Sequence, residues 1–185
     1  MNIKRIAAFV ADESQPLPPN IRDECQDLLE QIAEKTKKIT ERDKAIARAP
    51  NPMAKRLQTM PGLGPLSALV IEAFAPPMEL FKRGRDFAAW LGLVPKQHSS
   101  GGKARLGQVS KAGQSDIRRL LMLGAMSRLN WLGRKGIVEG SWLGKLVTKK
   151  ARMLVAIALA NKMARQVWSM LTNGQDDRDP AQVSA

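Results

Sequence analysis

The sequence predicts an all-α protein in which a long N-terminal helix leads into a compact, basic helical domain. Apolar residues make up 44% of the 185-residue chain, which is enough to bury a sizeable core. These residues recur at helical spacing between segments rich in proline and glycine, and no segment shows the alternation typical of a strand. We therefore expect helices joined by turns and loops, without a convincing strand.

The first fifty residues divide into a short segment and one long predicted helix. Residues 1–19 end in Ser-Gln-Pro-Leu-Pro-Pro, which indicates a linker or stiff turn. Asn20 is a suitable N-cap for a helix that should run to about Arg48 within residues 20–50. Apolar residues recur there at every seventh position, namely Cys25, Ile32, Ile39 and Ile46. This pattern is half of a coiled-coil seam, and an amphipathic helix packed on its own domain explains it equally well.

Residues 53–171 should form the main helical domain, and residues 172–185 an acidic, flexible tail. Within the domain we predict a glycine-rich segment over 92–113 and helices over 53–59, 65–74, 84–91, 115–132 and 143–171, the last as one helix or a pair. The four tryptophans are expected to serve in packing rather than in stacking bases.

The positive charge lies almost entirely in this domain. The chain has a net charge of +13, and residues 51–171 hold twenty lysines and arginines against five acids. Such a concentration is expected for a surface that meets a polyphosphate such as nucleic acid. A solvated basic face is the alternative, and an anionic membrane fits less well because the cations are spread over several elements.

Composition excludes several classes of protein. One cysteine and one histidine rule out an internal disulfide framework, a cysteine zinc site and a multi-histidine metal site. Aromatic residues, at 4%, are fewer than is usual for proteins that stack single-stranded bases. No apolar run is long enough to cross a bilayer, and the N-terminus does not resemble a signal peptide. We therefore expect a cytoplasmic protein.

The Pro61–Pro65 segment, Pro-Gly-Leu-Gly-Pro, resembles the turn of a helix-hairpin-helix DNA-binding motif. Gly62 and Gly64 would allow a tight turn and a close approach to a phosphate. Backbone N–H groups at the start of the next helix would then point at the anion. The alternative is an αα-hairpin without a ligand.

A serine-containing stretch follows in the glycine-rich segment, where Ser99 and Ser100 lie among cations and next to His98. A serine there could attack a phosphodiester, with the histidine acting as a base or holding a phosphate oxygen. The neighbouring cations that would stabilise charge on phosphorus are Lys96, Lys103 and Arg105. Taken alone, this stretch is better explained as a basic loop whose serines and glycines make turns.

A third basic cluster precedes and begins the following helix. Lys111, Arg118 and Arg119 could contact successive phosphates, because guanidinium groups bind phosphate bidentately. The alternative is a solvated basic helix face, and both interpretations can hold for different faces of the same helix.

These motifs together resemble the C-terminal part of a transposase of the IS110/IS1111 (IS116/IS110/IS902) family. The resemblance covers residues 20–171 and is most specific over 60–125 and 142–171. It rests on four motifs in order, which read Pro-Gly-Leu-Gly-Pro from Pro61, Leu-Gly-Leu-Val-Pro from Leu91, Gln-His-Ser-Ser-Gly-Gly-Lys from Gln97 and Arg-Arg-Leu-Leu from Arg118.

The resemblance implies a layout and a set of partners. Members carry a RuvC-like domain with four metal-binding acids, then a coiled coil, then a helical transposase domain with a catalytic serine. Carried over, the serine is Ser100, with Ser99 as the fallback, and DNA becomes attached to it covalently. The partners implied are DNA and the element's own structured RNA. The expected location is the prokaryotic cytoplasm, in association with the nucleoid.

This chain begins where the coiled coil begins, so we expect the RuvC-like domain and its divalent metal to be absent from it. We predict no cofactor or metal ligand in this chain. Two functions remain open. The chain is the serine-bearing part of a transposase that needs a RuvC-like partner half, or it is a stand-alone nucleic-acid-binding remnant that interferes with transposition. A decayed reading frame is a third possibility. Self-association through the long helix is expected, and no association with membranes.

Overall fold

The computed structural model describes residues 3–48, 51–98 and 106–177. The chain divides into two compact units, Met1–Ala49 and Pro50–Ala185. We refer to them as the N-terminal unit and the C-terminal unit.

The N-terminal unit begins with a helix that the sequence analysis did not predict. Helix α1 spans Ile3–Ala11, so the expectation of a linker over residues 1–19 was wrong for this part. Helix α1 packs against the following long helix and buries Val10. The guanidinium of Arg22 donates to the carbonyl oxygens of Val10 and Asp12, and to that of Gln15 at 3.1 Å, which fixes the connection between the two helices.

The long helix is confirmed. Helix α2 spans Pro19–Arg48, so it starts one residue before the predicted cap and ends at the predicted residue. None of its thirty residues is buried. Ile32 is 41% exposed and Ile39 is 61% exposed, so the heptad positions lie mostly open within this unit.

The C-terminal unit contains six helices, a short 3-10 turn and two strands among its described residues. In chain order these are α3 (Pro52–Leu57), α4 (Pro65–Phe74), the 3-10 turn (Met78–Leu80), α5 (Gly84–Trp90), β1 (Pro95–Gln97), β2 (Leu106–Val109), α6 (Ser115–Lys135), α7 (Trp142–Val147) and α8 (Arg152–Asn173).

Helix α8 is the centre of the core. It packs against α3, α5, α6, α7 and the 3-10 turn. Its buried side chains recur every three or four residues, which is the spacing of one helix face, and they include Val155, Leu159, Met163, Val167 and Met170. The opposing helices contribute fully buried Phe87 and Leu121. The expected all-α class is therefore confirmed.

Two short strands correct the expectation that no strand would form. Strands β1 and β2 pair antiparallel, with Pro95 opposite Val109 and Gln97 opposite Leu106. The register shifts between these two pairs. Strand β1 is only three residues long and exposed throughout, so its sequence has none of the alternating burial that identifies a strand.

The start of the acidic tail is held against the body of the C-terminal unit. Helix α8 ends at Asn173, with Gly174 in the left-handed conformation at its C-cap. Asp176 forms an ion pair with Arg56 at 3.6 Å, and the Asp177 N–H donates to the Thr59 hydroxyl oxygen at 3.0 Å. Residues 174–177 therefore contact the helical body, the flexibility of the tail stays a prediction, and residues 178–185 lie outside the described part of the chain.

No helix in the described ranges is both long and apolar enough to cross a membrane.

Candidate nucleic-acid interface

The Pro61–Pro65 segment joins two helices as predicted. Asn51 caps α3 by accepting the Ala54 N–H at 3.0 Å, and its amide also donates to the Glu72 carboxylate on α4. Leu57 and Leu63, on either side of the turn, are 0% and 5% exposed. The predicted pair of helices is therefore anchored in the core on both sides of the turn, with α3 ending at Leu57 rather than at the predicted residue 59.

Gly62 is explained by contact within the protein. Its φ of +95° favours glycine, and a Cβ there would lie 2.6 Å from the carbonyl oxygen of Gly124 on α6. In return, a Cβ on Gly124 would overlap the Gly62 carbonyl oxygen. The turn thus packs directly against the α6 backbone, which accounts for Gly62 without a phosphate. Its contact with DNA stays a prediction.

Gly64 is in a different environment. It is the N-cap of α4, its carbonyl accepts the Ala68 N–H at 3.0 Å, and a Cβ there would meet nothing within 4 Å. The first turn of α4 contains no acid, and Pro65 occupies its first position, where a missing N–H costs nothing. The start of α4 is therefore open and carries the partial positive charge of a helix N-terminus.

Both ends of the glycine-rich segment leave the helical body side by side. The Lys111 N–H donates to the Gly92 carbonyl at 3.2 Å, and the Ser110 N–H donates to the Val94 carbonyl at 2.8 Å. The backbones approach so closely that a Cβ on Gly92 would overlap the carbonyl oxygen of Ala112. These bonds continue the pairing of β1 with β2 down to the helices.

Two side chains from neighbouring helices hold the two ends of the glycine-rich segment together; we call this paired region, residues 91–94 and 110–112, the base of the segment. Arg118, near the start of α6, donates to the carbonyl oxygens of Leu91 at 2.9 Å and Ala112 at 3.3 Å. Asn161, on α8, donates to the carbonyl oxygen of Leu93 at 3.1 Å. Arg118 therefore joins the two ends of the segment, a structural role that the sequence did not reveal, and its contact with DNA stays a prediction.

The adjacent Arg119 differs from Arg118. Its side chain is exposed and forms no ion pair with an acid in the described ranges, as is also true of Lys96 and Lys111. Lys111 has a φ of 54°, the left-handed region, where the chain turns from β2 towards α6. These three cations are open to solvent, and their contact with DNA stays a prediction.

His98 lies directly after β1, and its side chain is exposed. A Cβ on Gly107, in β2, would lie 2.7 Å from the His98 Cδ2 atom and 2.8 Å from its Nε2 atom. The His98 imidazole therefore occupies the space that a side chain at position 107 would fill, on the opposite strand. The predicted residues Ser99, Ser100, Lys103 and Arg105 lie outside the described residues.

Over the described ranges, no three His, Cys, Asp or Glu side chains group closely enough to hold a metal ion.

Asn161 and Gly107 were missed by the sequence analysis. Asn161 had a usable signal, because it is a polar residue beside Ala160 in a mostly apolar helix, where a buried amide needs a partner. Gly107 had none, because its partner His98 is placed opposite it only by the strand register.

Comparison with known proteins agrees with the resemblance. A sequence model described as "Transposase IS116/IS110/IS902 family" matches residues 54–136, which include most of α3, the turn, α4, both strands and all of α6.

Three relatives cover most of the chain. A Pseudomonas aeruginosa protein named "Probable family 20 transposase" is 39% identical over 174 residues, which are 90% of this chain and 50% of that protein. The transposase for insertion sequence element IS1111A of Coxiella burnetii is 33% identical over 95% of this chain and 49% of its own length. The transposase for insertion sequence element IS1328 of Yersinia enterocolitica is 34% identical over 93% of this chain and 52% of its own length.

The chain thus spans about half the length of these relatives. The family match and the relatives name the same class of protein, and the matched residues are those that build the strand pair and its base. The chain is therefore similar to transposases of the IS116/IS110/IS902 family over most of its length.

Proposed function

We propose that this chain is the DNA-binding, serine-bearing portion of an insertion-sequence transposase, with Ser100 as the nucleophile and Ser99 as the fallback. The observation that carries the proposal is the strand pair inside the family-matched region. Its register sets Gln97 opposite Leu106, so the segment containing both serines is held at each end on a fixed base.

The proposed DNA contacts are of two kinds. The start of α4 at Gly64 offers an open helix N-terminus, which suits a phosphate without reading base sequence. The exposed side chains of Lys96, Lys111 and Arg119 supply charges for further phosphates. Lys103 and Arg105 are proposed to act with them, next to the serines.

The proposed reaction is an exchange at phosphorus. The serine oxygen attacks a phosphodiester, a Ser–O–P bond forms, and the bond from phosphorus to the leaving nucleoside oxygen breaks. His98 takes the serine proton, and the leaving oxygen gains a proton to become a free hydroxyl group. Lys96 and the neighbouring cations stabilise the negative charge that develops on the phosphoryl oxygens.

Activity is proposed to need more than this chain. Its relatives are about twice as long, and the family resemblance assigns the metal-binding acids to a RuvC-like domain. That domain would supply divalent-metal chemistry, while the residues described here bind DNA and hold the serine segment.

Serine chemistry is tested by substitution in a transposition assay with the RuvC-like domain supplied. We expect Ser100→Ala to abolish strand transfer and to leave DNA binding unchanged, while Ser99→Ala retains activity. A trapped covalent protein–DNA product should form with the wild-type serine only. Equal strand transfer by Ser100→Ala and the wild type would exclude this serine as the nucleophile.

DNA binding is tested separately, with duplex DNA and structured RNA over a series of salt concentrations. We expect a linear fall of log affinity with log salt, with a slope of about −0.9 per duplex phosphate neutralised. Arg119→Gln should reduce the slope by about one such contact. If binding is salt-steep but Ser100→Ala has no effect on transposition, the chain acts as a non-catalytic binder that interferes with transposition.

Self-association is proposed through α2. Leu28, Ile32 and Ile39 are 49%, 41% and 61% exposed within the N-terminal unit, at spacings that suit a helix–helix seam between two copies. We expect Ile32→Glu to lower the sedimentation-derived mass towards that of a monomer, while Lys37→Glu, exposed on the opposite side of the helix from the seam, leaves it unchanged. Equal masses for the wild type and Ile32→Glu would contradict this seam.

A further inference from the structure

A cavity of about 580 Å³ lies where α6, α7 and α8 come together. Its volume is within the range of roughly 300–1,000 Å³ that is common for sites of small organic ligands. None of its lining residues was proposed above to contact DNA. The lining consists of Leu129, Asn130, Gly133, Arg134, Ile137, Val147, Lys150, Arg152 and Val155.

The cavity has a charged part and an apolar part. Arg134, Lys150 and Arg152 supply three cations, and no acid is present in the lining. None of these cations forms an ion pair with an acid in the described part of the chain. The Arg152 guanidinium donates to the amide oxygen of Asn130, which holds it at the cavity wall.

The surroundings are basic and unusually rich in exposed aromatic and apolar side chains. Residues 128–152 contain seven lysines and arginines and a single acid, Glu139. Trp131 is 48% exposed, with the Lys135 ammonium 4.6 Å from its ring centroid. Trp142 is 42% exposed, with the Lys162 ammonium 4.9 Å from its ring centroid. About half of each of these two tryptophan side chains is therefore open to solvent.

This combination selects the class of ligand. The three cations are exposed and have no acid in the lining, so they favour an anionic ligand group. The walls formed by Leu129, Ile137 and Val155 favour a flat apolar group beside that anion. A nucleotide has both parts. A paired and stacked base cannot enter a cavity without leaving its helix, so the nucleotide has to be unpaired.

We propose that this cavity binds one unpaired nucleotide of a nucleic-acid strand, with its phosphate at Arg134, Lys150 and Arg152 and its base against the apolar wall. The inference rests on the proposed role of this chain in binding nucleic acid and adds a second site with a different preference. The exposed face of Trp131 continues the site by stacking a neighbouring base.

Gly133 allows the cavity to be filled without any change of charge. It lies near the end of α6, and a Cβ there would meet nothing within 4 Å. A leucine at this position fits a helix better than glycine does, so Gly133→Leu should fold normally. Circular dichroism and thermal unfolding of the variant confirm the fold.

The first experiment measures fluorescence anisotropy of a labelled twelve-nucleotide oligothymidine and of a duplex of equal length. We expect Gly133→Leu to weaken single-strand binding by about tenfold, which corresponds to the loss of one base contact. Duplex affinity should change by less than about twofold, because the duplex contacts lie elsewhere and no charge is altered.

The second experiment uses a matched pair of neighbouring lysines. Lys149 and Lys150 are both exposed, but only Lys150 lines the cavity. Lys150→Gln should lower the magnitude of the single-strand salt slope by about 0.7, the value for one lost phosphate contact, whereas Lys149→Gln should leave the slope unchanged.

The outcomes separate this inference from the proposed function. Unchanged single-strand affinity in Gly133→Leu, or equal effects of the two lysine substitutions, would overturn the nucleotide site even if duplex binding is normal. A wild-type chain that binds the duplex but not the oligothymidine would also overturn it. Failure to bind duplex, together with cavity-dependent binding of the oligothymidine, would instead contradict the duplex contacts proposed at Gly64 and Arg119.

Discussion

Gly62 and Gly124 touch backbone to backbone, so that the turn between α3 and α4 lies directly on α6. A Cβ on Gly62 would lie 2.6 Å from the Gly124 carbonyl oxygen, and neither backbone can withdraw as a flexible side chain could. We expect Gly124→Ala to destabilise the protein by about 1–3 kcal/mol, as overpacking at a rigid contact does. Urea unfolding measures the difference.

Gly133, on the same helix, is the control for this prediction. A Cβ at Gly133 meets open space, so Gly133→Ala should instead stabilise α6 by up to about 1 kcal/mol through helix propensity. Opposite signs for the two glycine-to-alanine changes would establish that close contact, and not propensity, determines the effect at Gly124. A stabilising Gly124→Ala would contradict the contact.

Arg118 should be a structural residue and Arg119 should not. The Arg118 guanidinium donates to the carbonyls of Leu91 and Ala112, whereas Arg119 is exposed on the same helix. Because a hydrogen bond to a charged group contributes about 1.5–3 kcal/mol, Arg118→Met should destabilise by that order. Arg119→Met should be near neutral for stability and should weaken duplex binding.

Hydrogen exchange provides the local measurement. Loss of the Arg118 contacts should speed exchange of the Lys111 and Ser110 amides, which join the two ends of the glycine-rich segment. Equal exchange rates of these two amides in Arg118→Met and Arg119→Met would show that Arg118 does not hold the two ends of the segment together.

Helix bounds that depend on local sequence signals were predicted correctly. Helix α4 has the predicted bounds of 65–74, because proline at its start and an Ala-Pro-Pro run after its end mark both limits. The strands were missed because β1 is short and exposed on every residue. The resemblance named the family from four ordered motifs, each of which is weak alone.

Contacts between distant segments could not be predicted. In the sequence, Arg118 and Arg119 are two adjacent and equivalent cations. Only the fold shows that the Arg118 guanidinium donates to the carbonyl oxygen of Leu91, twenty-seven residues earlier. The cavity proposed to bind a nucleotide is assembled from the end of α6, the following loop, the end of α7 and the start of α8. Arg134 is separated from Lys150 and Arg152 by a loop and helix α7, so no local spacing pattern marks the three cations.

Substitutions of Lys111 should change the stability of the protein and its affinity for duplex DNA independently. With a φ of 54°, it occupies a conformation that costs most residues energy but not glycine. Lys111→Gly should therefore preserve stability or raise it by up to about 1 kcal/mol, while the lost charge weakens duplex binding. Lys111→Ala should weaken binding equally without the gain in stability. Thermal unfolding and anisotropy on the same samples test both effects, and a stability loss in Lys111→Gly would contradict the role of the positive φ.

Asp12 should titrate below its usual range. The Gln15 amide donates to its carboxylate at 2.8 Å, and the Ser14 hydroxyl and N–H donate at 2.6 and 3.0 Å, which lowers the pKa of Asp12. A lowered pKa in the folded state means that this turn is stabilised above the unfolded pKa and loses that stabilisation as pH falls through the folded pKa. An NMR titration should find the Asp12 pKa raised in Gln15→Ala. An unchanged pKa would show that the Gln15 bond is not formed in solution.

Gly107 should determine where the His98 ring lies. A Cβ at Gly107 would lie 2.7 Å from the ring, and since the imidazole is an exposed side chain it can move away while the strands stay paired. Gly107→Ala should therefore shift the His98 ring resonances without loss of the amide protection of β2. If His98 accepts the serine proton, the same variant should reduce strand transfer in the complemented assay. Its salt slope for duplex binding should stay unchanged, because no charge is removed. A Gly107→Ala chain with unmoved ring resonances would show that the contact across the strands does not position the imidazole.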